Sequence, residues 1–367
     1  MDALALVEGP GHVCCRYRVR AFEPALTAAG WNLTVEGLAR GIAARAAQLG
    51  RADRFDSVLL QRKLLPSWEF AILRRRARRL VFDFDDAIQH RDSYDRRGPD
   101  SRRRARRFAR TVQGVDLVIA GNTCLARLAV AAGARPDRVC LIPTCVDPSR
   151  YSPTPADRGR SGFDLAWIGS SSTLQGLEKS RAIWERLGVD VPGLRLRIVC
   201  DRFPRFDGVQ VVEVPWSEAT EAAELAGADA GIGWIPDDPW SRGKCGLKLI
   251  QYQAAGLPVI ANPVGVHAEI VEPGVSGFLA ESADEWSRAA RALAADPALR
   301  ERMGRAGRAS VESRYAVDVW APEVVASIAG EMPSKPDGGP RRAKWRRDRG
   351  SFFEGTPGAK GATNQAG

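Results

Sequence analysis

Short apolar runs separated by helix-like stretches recur through the first 150 residues. Each run ends in turn residues, and together they occupy residues 4–7, 57–60, 80–84, 117–120 and 139–143. Residues 17–49, rich in Ala and Leu and interrupted near residue 30, predict a helix, a short strand and a second helix. Strands that alternate with helices are typical of parallel sheets, so the pattern predicts an α/β domain over residues 1–150.

The same alternation restarts later in the chain. Its apolar runs lie at residues 163–169, 194–199, 209–214, 230–234, 258–261 and 277–280, followed by helical sequence at 284–314. This pattern predicts a second Rossmann-like domain over residues 163–314. A last helix is expected at 315–330, and we expect it to pack back toward the N-terminal domain.

Two segments lack any apolar period. Three prolines occur among residues 148–155, which predicts a linker at 151–162. Pro, Gly and charged residues dominate 331–367, which we interpret as a disordered basic tail. Two doubly wound parallel sheets in series predict a cleft where the carboxyl ends of their strands face each other, and ligands of such sheets bind at those ends.

The chain is basic, with a formal net charge of +10 carried mainly by clusters at residues 74–79, 96–110 and 341–349. Two interpretations remain open for the first two clusters. They pair locally with nearby aspartates, or they attract an anionic membrane surface. Specific nucleic-acid binding is not expected, because the clusters have no interleaved aromatic residues and no groove-reading motif.

The seven cysteines are scattered and form no Cys-x-x-Cys pair, which favours a reducing cytosol and argues against a zinc site. The first residues lack the basic start of a signal peptide, and no apolar run approaches the roughly 20 residues that cross a bilayer. We therefore expect a cytoplasmic protein, with peripheral contact at the inner face of the membrane as the alternative location.

Residues 243–261 carry the most informative local pattern. Gly243 and Gly246 open a loop that leads into a short helix and then a buried strand, and Lys244 and Lys248 add two charges within five residues. Glycines let backbone N–H groups approach an anion, and a helix N-terminus favours negative charge. The segment therefore predicts a phosphate site; the alternative is a helix start with solvated lysines.

Several motifs occur in an order that resembles the retaining GT-B glycosyltransferases, often called family 4 or group 1. The resemblance covers residues 1 to about 330. Its motifs are Glu8-Gly9-Pro10-Gly11 with residues 16–20, then 81–87, 120–123, 142–147, 167–170, 243–261 and 263–271, with Gly274 and Gly277.

The resemblance implies transfer of a sugar from a nucleotide diphospho-sugar, held mainly by the C-terminal domain, to an acceptor held mainly by the N-terminal domain. The acceptor would be a glycan or a lipid-linked glycan of the cell envelope. The family generally needs no metal and no cofactor, and it usually retains the anomeric configuration. Helix N-termini and basic side chains would stabilise the leaving diphosphate.

The family motifs place the candidate site residues. Substrate binding is expected from Gly11, His12, Arg18, Gly169, Ser170, Ser171, Lys244, Gly246, Leu247, Lys248, Gln251 and His267. Asp85 and Asp86 are the candidate catalytic residues, which would bind the acceptor or orient its hydroxyl, including as a base. The alternative for these aspartates is helix capping and pairing with Arg18, Arg62 or Arg91.

The chain also departs from the family pattern. A Glu pair that relatives commonly carry corresponds to Gly243 and Gln251, and an Arg and a Lys correspond to Ser170 and Gln175. Lys244 and Lys248 could replace the two missing cations. The departures leave two other functions open: a nucleotide-sugar-binding protein of the same fold with impaired turnover, or an epimerase acting on the nucleotide sugar.

Overall fold

The computed structural model describes residues 1–153 and 162–331. The basic tail expected at 331–367 lies outside this part of the chain apart from its first residue. Most of the expected linker, residues 154–161, also lies outside it.

The first of two sheets is built from the N-terminal part of the chain. Its six strands are parallel and lie in the order β2-β1-β3-β4-β5-β6. The strands are β1 (Asp2–Val7), β2 (Asn32–Gly37), β3 (Ser57–Gln61), β4 (Leu80–Phe84), β5 (Leu117–Ala120) and β6 (Val139–Leu141). The helices between them are α1 (Val13–Arg18), α2 (Glu23–Ala28), α3 (Ile42–Gly50), α4 (Ser67–Arg76), α5 (Arg102–Gly114) and α6 (Thr123–Ala131).

The second sheet also has six parallel strands, in the order β12-β11-β10-β7-β8-β9. The strands are β7 (Phe163–Ile168), β8 (Leu194–Cys200), β9 (Gln210–Pro215), β10 (Ala230–Gly233), β11 (Val259–Ala261) and β12 (Gly277–Leu279). The helices are α7 (Ser171–Lys179), α8 (Arg181–Asp190), α9 (Glu221–Ala226), α10 (Leu247–Ala254), α11 (His267–Ile270), α12 (Ala283–Ala295), α13 (Pro297–Arg314) and α14 (Val317–Ala329). The prediction of two parallel α/β sheets is confirmed.

Continuous apolar strands explain why both sheets are covered by helices on two faces. Every residue of β3, β4, β5 and β7 is buried, as expected for central strands of a parallel sheet. Phe82 and Phe84 project from β4 onto Phe108 of α5, with ring centroids 6.4 and 5.3 Å from it. In the second domain Trp184 and Trp286 meet edge to face at 5.2 Å.

The last helix leaves the second domain and returns to the first. Val317, Trp320, Val324 and Ile328 of α14 pack in one buried cluster with residues of β1, β3, β4 and β5. The backbone turns there through a parallel bridge between Val146 and Ala316. The chain therefore passes between the two domains twice.

Glycine allows α10 to lie directly on the second sheet. A Cβ at Gly231 of β10 would lie 2.2 Å from the Tyr252 ring. The Tyr252 hydroxyl accepts a hydrogen bond from the backbone N–H of Ile168 at 3.0 Å. This contact fixes α10 beside the carboxyl end of β7. In the described part of the chain, none of the helices combines the length and hydropathy that a bilayer crossing requires.

A second close approach holds α13 against the turn that follows α10. A Cβ at Gly304 would lie 1.9 Å from the carbonyl oxygen of Gly256, whose φ is 73°. Backbone cannot yield to such a contact as a flexible side chain would, so the helix can approach this closely only with glycine at position 304.

Gly304→Ala is therefore expected to lower the free energy of unfolding by about 1–3 kcal/mol, since α13 must move away from its support. Denaturant titration followed by tryptophan fluorescence measures the change. The matched control is Gly50→Ala at the end of α3, where nothing lies within 4 Å of the added Cβ. Equal stability of the two variants would show that the packing tolerates the methyl group.

Candidate functional site

The carboxyl ends of the two sheets meet through the loop that precedes α10. Asn122, after β5, donates hydrogen bonds from Nδ2 to the carbonyl oxygens of Gly243 at 2.9 Å and Lys244 at 3.1 Å. A Cβ at Gly243 would lie 2.6 Å from the Cβ of Ala87. We call the region bounded by Asp85, Asp86, Asn122, Lys244 and Lys248 the interdomain site.

Burial separates Asp83 from the two aspartates that follow it. Asp83 ends β4 in a buried ion pair with Arg18, which also donates to the carbonyl oxygen of Ile142 at 2.7 Å. Burial raises the pKa of Asp83, while the Arg18 guanidinium opposes that rise. Arg18 was expected to bind substrate, but its guanidinium is engaged within the N-terminal domain by this pair.

Asp85 and Asp86 share one guanidinium. Arg62 NH1 lies 3.3 Å from Asp85 Oδ1, and Arg62 NH2 lies 2.5 Å from Asp86 Oδ2. Burial alone would raise the pKa of Asp85, but the charges of Arg62 and Arg18 outweigh it and hold the pKa below its usual value. Asp85 is thus kept ionised at the edge of the first sheet.

Arg62 has an unusual backbone. Its φ is 45°, which makes it the one non-glycine residue with positive φ in the described ranges. Such a conformation costs about 1–3 kcal/mol and concentrates at functional sites. The same guanidinium also donates to the sulfur of Cys14 at 2.6 Å. The sequence indicated Arg62 only as an ion-pair partner of the aspartates, because the identity of a residue does not show that its backbone is left-handed.

The loop before α10 brings two ammonium groups to the opposite side of the site. Lys248 Nζ donates to the carbonyl oxygen of Ile168, lies 3.4 Å from Thr173 Oγ1 and stands 4.2 Å over the Trp167 ring. Burial, and then the nearby charge of Lys244, lower the pKa of Lys248 to about 7. Lys244 Nζ lies 3.9 Å from Asp86 Oδ1. These two lysines therefore concentrate positive charge at the carboxyl end of β7.

Backbone geometry adds to that charge. Gly246 caps α10 with φ of 68°, and a Cβ there would lie 2.4 Å from Ile270 Cδ1. The half-buried Leu247 begins α10, so the first N–H groups of an eight-residue helix lie beside Lys244 and Lys248. A helix N-terminus flanked by two ammonium groups suits a phosphate.

The other predicted residues after β7 have internal partners. Ser170 and Thr173 form a capping box at the start of α7, and the Ser171 backbone N–H donates to Asp201 Oδ1 at 2.6 Å. That hydrogen bond lowers the pKa of Asp201 to about 2. A carboxylate of the protein thus lies at the N-terminus of α7. Gly169 has no room for a side chain, since a Cβ would lie 2.4 Å from Lys248 Nζ.

Gln251 connects the domains. It is buried, and its Nε2 donates to the hydroxyl oxygens of Tyr17 at 2.9 Å and Tyr151 at 3.2 Å. Tyr17 in turn donates to Glu221 Oε1 at 3.0 Å, and Arg16 pairs with the same carboxylate. The amide at position 251 therefore serves an internal polar network between α1, α9 and α10.

The two histidines on the candidate set differ in their surroundings. His267 is buried, its Nδ1 lies 3.1 Å from the carbonyl oxygen of Asn262, and burial lowers its pKa to about 4. It is neutral near pH 7. His12 caps α1, where Nδ1 accepts from the Cys14 N–H at 3.2 Å. Gly11, beside it, is exposed and has nothing within 4 Å of a built Cβ.

Residues 1–153 and 162–331 contain no cluster of side chains that could bind a metal ion. No group of three or more His, Cys, Asp or Glu side chains lies close enough there to hold an ion. The interdomain site has two carboxylates that share one guanidinium on one side, and two lysine side chains with backbone N–H groups on the other.

The sequence of this chain is similar to sequences of known proteins. Residues 239–310 match the family model described as Glycosyl transferases group 1. A D-inositol 3-phosphate glycosyltransferase of Nocardia farcinica is 28% identical over 261 residues, covering 59% of this chain and 56% of that protein. A protein of the same name from Pseudarthrobacter chlorophenolicus is 30% identical over 237 residues, covering 57% and 54%. The chain thus spans about half the length of these relatives.

Solved structures share the fold. Sucrose-phosphate synthase of Thermosynechococcus elongatus superposes with a TM-score of 0.67 at 18% identity, covering 90% of this chain and 97% of that one. Anabaena HepE, solved in complex with UDP and glucose, gives 0.64 at 17% identity, covering 90% and 100%. The segment 239–310, which matches the group 1 glycosyltransferase model, contains the loop and helix that carry Lys244 and Lys248, and the two parallel sheets have the GT-B fold.

Proposed function

We propose that the protein transfers a sugar from a nucleoside diphospho-sugar to an acceptor hydroxyl, with retention of configuration and without a metal ion. The observation that carries the proposal is that Lys244 lies 3.9 Å from Asp86 and is also close enough to Lys248 for its charge to lower the pKa of Lys248. The relatives named D-inositol 3-phosphate glycosyltransferase, and the UDP complexes of HepE, support a sugar nucleotide as the donor.

Each side of the interdomain site has one role in the proposed reaction. As the bond between the anomeric carbon and the β-phosphate oxygen breaks, negative charge grows on the diphosphate. Lys244, Lys248 and the first N–H groups of α10 stabilise that charge, a role that electrostatic preorganisation performs without a divalent cation. The released phosphate oxygen keeps the bonding electrons, while the acceptor oxygen forms the new bond to the anomeric carbon.

The acceptor side is assigned to the carboxylates. Asp85 or Asp86 orients the acceptor hydroxyl, whose proton passes to the carboxylate or to the departing diphosphate. Arg62 contacts both carboxylates and keeps Asp85 ionised. The acceptor class is a glycan, a lipid-linked glycan or a phosphorylated polyol such as D-inositol 3-phosphate, which is the first to test because the relatives carry its name.

One observation favours a second function, nucleotide-sugar binding with impaired turnover. The position of the first family carboxylate is Gly243, where Ala87 leaves no room for a Cβ, and the position of the second is the internally bonded Gln251. Neither residue supplies a carboxylate to a sugar hydroxyl.

The deciding experiment incubates the full chain with UDP-, GDP- and ADP-sugars, with and without D-inositol 3-phosphate, and follows products by mass spectrometry. Acceptor-dependent release of nucleoside diphosphate together with a glycosylated product supports transfer. Binding without release supports the second function, and an altered sugar still attached to its nucleotide supports an epimerase.

Lys248→Met should weaken UDP binding by about 1.5–3 kcal/mol, roughly 10- to 150-fold, because a charge-assisted contact to phosphate is lost. Binding of uridine alone should not change, since it has no phosphate. Calorimetric titration of both ligands measures the difference. An unchanged UDP affinity would remove Lys248 from the phosphate site.

The depressed pKa of Lys248 also predicts how affinity depends on pH. The free protein loses this proton as pH rises through about 7, whereas bound diphosphate stabilises the ammonium form. Binding should therefore take up a proton above about pH 7, and UDP affinity should fall as pH rises from about 7 to 9. The phosphate itself titrates near pH 6 and stays fully charged in this range.

Calorimetry in buffers with different ionisation enthalpies detects that proton uptake. The Lys248→Met variant is the matched control, because it binds the same ligand without the titrating ammonium. Proton uptake that is the same in both proteins would assign the effect to another group.

Arg62→Lys should lower the transfer rate while leaving UDP affinity unchanged. A single ammonium cannot bridge two carboxylates as a guanidinium does, so the pKa of Asp85 should rise. Activity that needs the ionised carboxylate is lost as pH falls, and its acidic limb should move to higher pH. A kcat/KM profile against pH measures this shift. Arg135→Lys is the control, because Arg135 forms an exposed ion pair with Asp137, and the acidic limb of its pH profile should stay in place. An acidic limb that moves in neither variant refutes the role of Arg62.

A further inference from the structure

A groove lies between α4 and α5 on the outer surface of the N-terminal domain. Its volume is about 630 Å³. The lining residues, which we call the arginine groove, are Phe70, Ala71, Arg74, Arg75, Arg106, Ala109, Arg110, Gln113 and Gly114. Its floor is apolar, because the Phe70 ring lies against Gly114, where a Cβ would be only 2.7 Å from Phe70 Cε1.

The groove is remote from the interdomain site. Its residues on α4 and α5 lie in the parts of these helices that lead into β4 and β5, whereas Asp85 and Asn122 follow the opposite ends of the same strands. A ligand of the arginine groove is therefore neither the sugar donor nor the acceptor hydroxyl, and the inference below does not rest on the proposed function.

Most of the positive charge in the groove is left unpaired by the residues that the structure describes. Arg75, Arg106 and Arg110 are exposed, and within the described ranges they form no ion pair, while Arg74 pairs with Asp116 at 2.6 Å. α5 contains no acidic residue. Glu69, the single carboxylate of α4, forms an ion pair with Arg45, and 2.9 Å separates Glu69 Oε2 from Arg45 Nη1. A surface with this charge favours an anionic partner.

An apolar side chain continues the groove on α4. Trp68, Ala71 and Arg75 have the spacing of one helix face, and Trp68 is 42% exposed. Arg103, Arg106 and Arg110 have the same spacing on α5, and the pKa of Arg107 is lowered by burial and by the charge of Arg103. Two neighbouring helix faces thus combine arginines with an exposed tryptophan.

This combination fits one class of partner. Arginines bind lipid phosphate groups, and a tryptophan beside them inserts at the boundary between headgroups and acyl chains. A nucleic acid would use the guanidinium groups but gains nothing from an apolar floor or a single tryptophan without stacking partners. We infer that the arginine groove docks the protein on an anionic phospholipid surface.

The test uses the full chain and sedimentation with vesicles of phosphatidylcholine alone or with 30% phosphatidylglycerol. Wild type should bind the anionic vesicles and not the neutral ones, and binding should weaken as salt is raised. Each arginine near such a surface contributes about five-fold in affinity. Arg75→Glu combined with Arg110→Glu should therefore reduce binding by at least about 25-fold, while UDP affinity stays at the wild-type value.

The matched control changes charge equally on the other domain. Arg302→Glu combined with Arg305→Glu reverses two exposed arginines of α13 and should leave vesicle binding within about two-fold. Trp68→Ala should weaken binding without altering net charge. The inference is overturned if wild type does not bind anionic vesicles, if both double variants lose binding equally, or if the groove variant binds as wild type does. Stronger wild-type binding to a 20-nucleotide RNA than to vesicles at the same salt would overturn it in favour of nucleic acid.

Discussion

The hydrogen bonds from Asn122 to the backbone of Gly243 and Lys244 fix the distance between the two sheets. Because the partners are carbonyl oxygens, the contact sets the path of the loop regardless of its side chains. Glycine at position 243 then lets Ala87 come within van der Waals range, and the lysine that follows is held opposite Asp86. The position of the Lys244 charge in the interdomain site is thus a consequence of backbone contacts between the two domains.

Charge is compensated differently on the two sides of the interdomain site. On the first sheet, Arg18 pairs with Asp83 and Arg62 pairs with both Asp85 and Asp86. The carboxylate charge that these two guanidinium groups leave over is met by Lys244, 3.9 Å from Asp86. On the second sheet the ammonium groups of Lys244 and Lys248 repel each other, and burial adds to the cost of the Lys248 charge. A bound anion relieves that cost, whereas the carboxylate side needs no ligand to remain stable.

Sequence reasoning predicted the two sheets and the loop and helix of residues 243–261, but not the partners of individual side chains. Continuous apolar runs predicted the strands because parallel strands are buried on both faces, and two lysines within five residues beside Gly243 and Gly246 singled out Lys244 and Lys248. Sequence order could not show that β3 lies between β1 and β4, which is what places Arg62 between Cys14 and Asp85. Nor could it show that Asp201 would reach the N–H of Ser171 from thirty residues away.

The return of α14 to the first domain has a consequence for how the chain is made. Trp320, Val324 and Ile328 cover apolar residues of strands that leave the ribosome about 200 to 320 residues earlier. Until α14 emerges, that face of the first sheet is exposed to water and to other nascent chains. The apolar cover of the N-terminal domain is therefore complete only after the whole second domain has been synthesised.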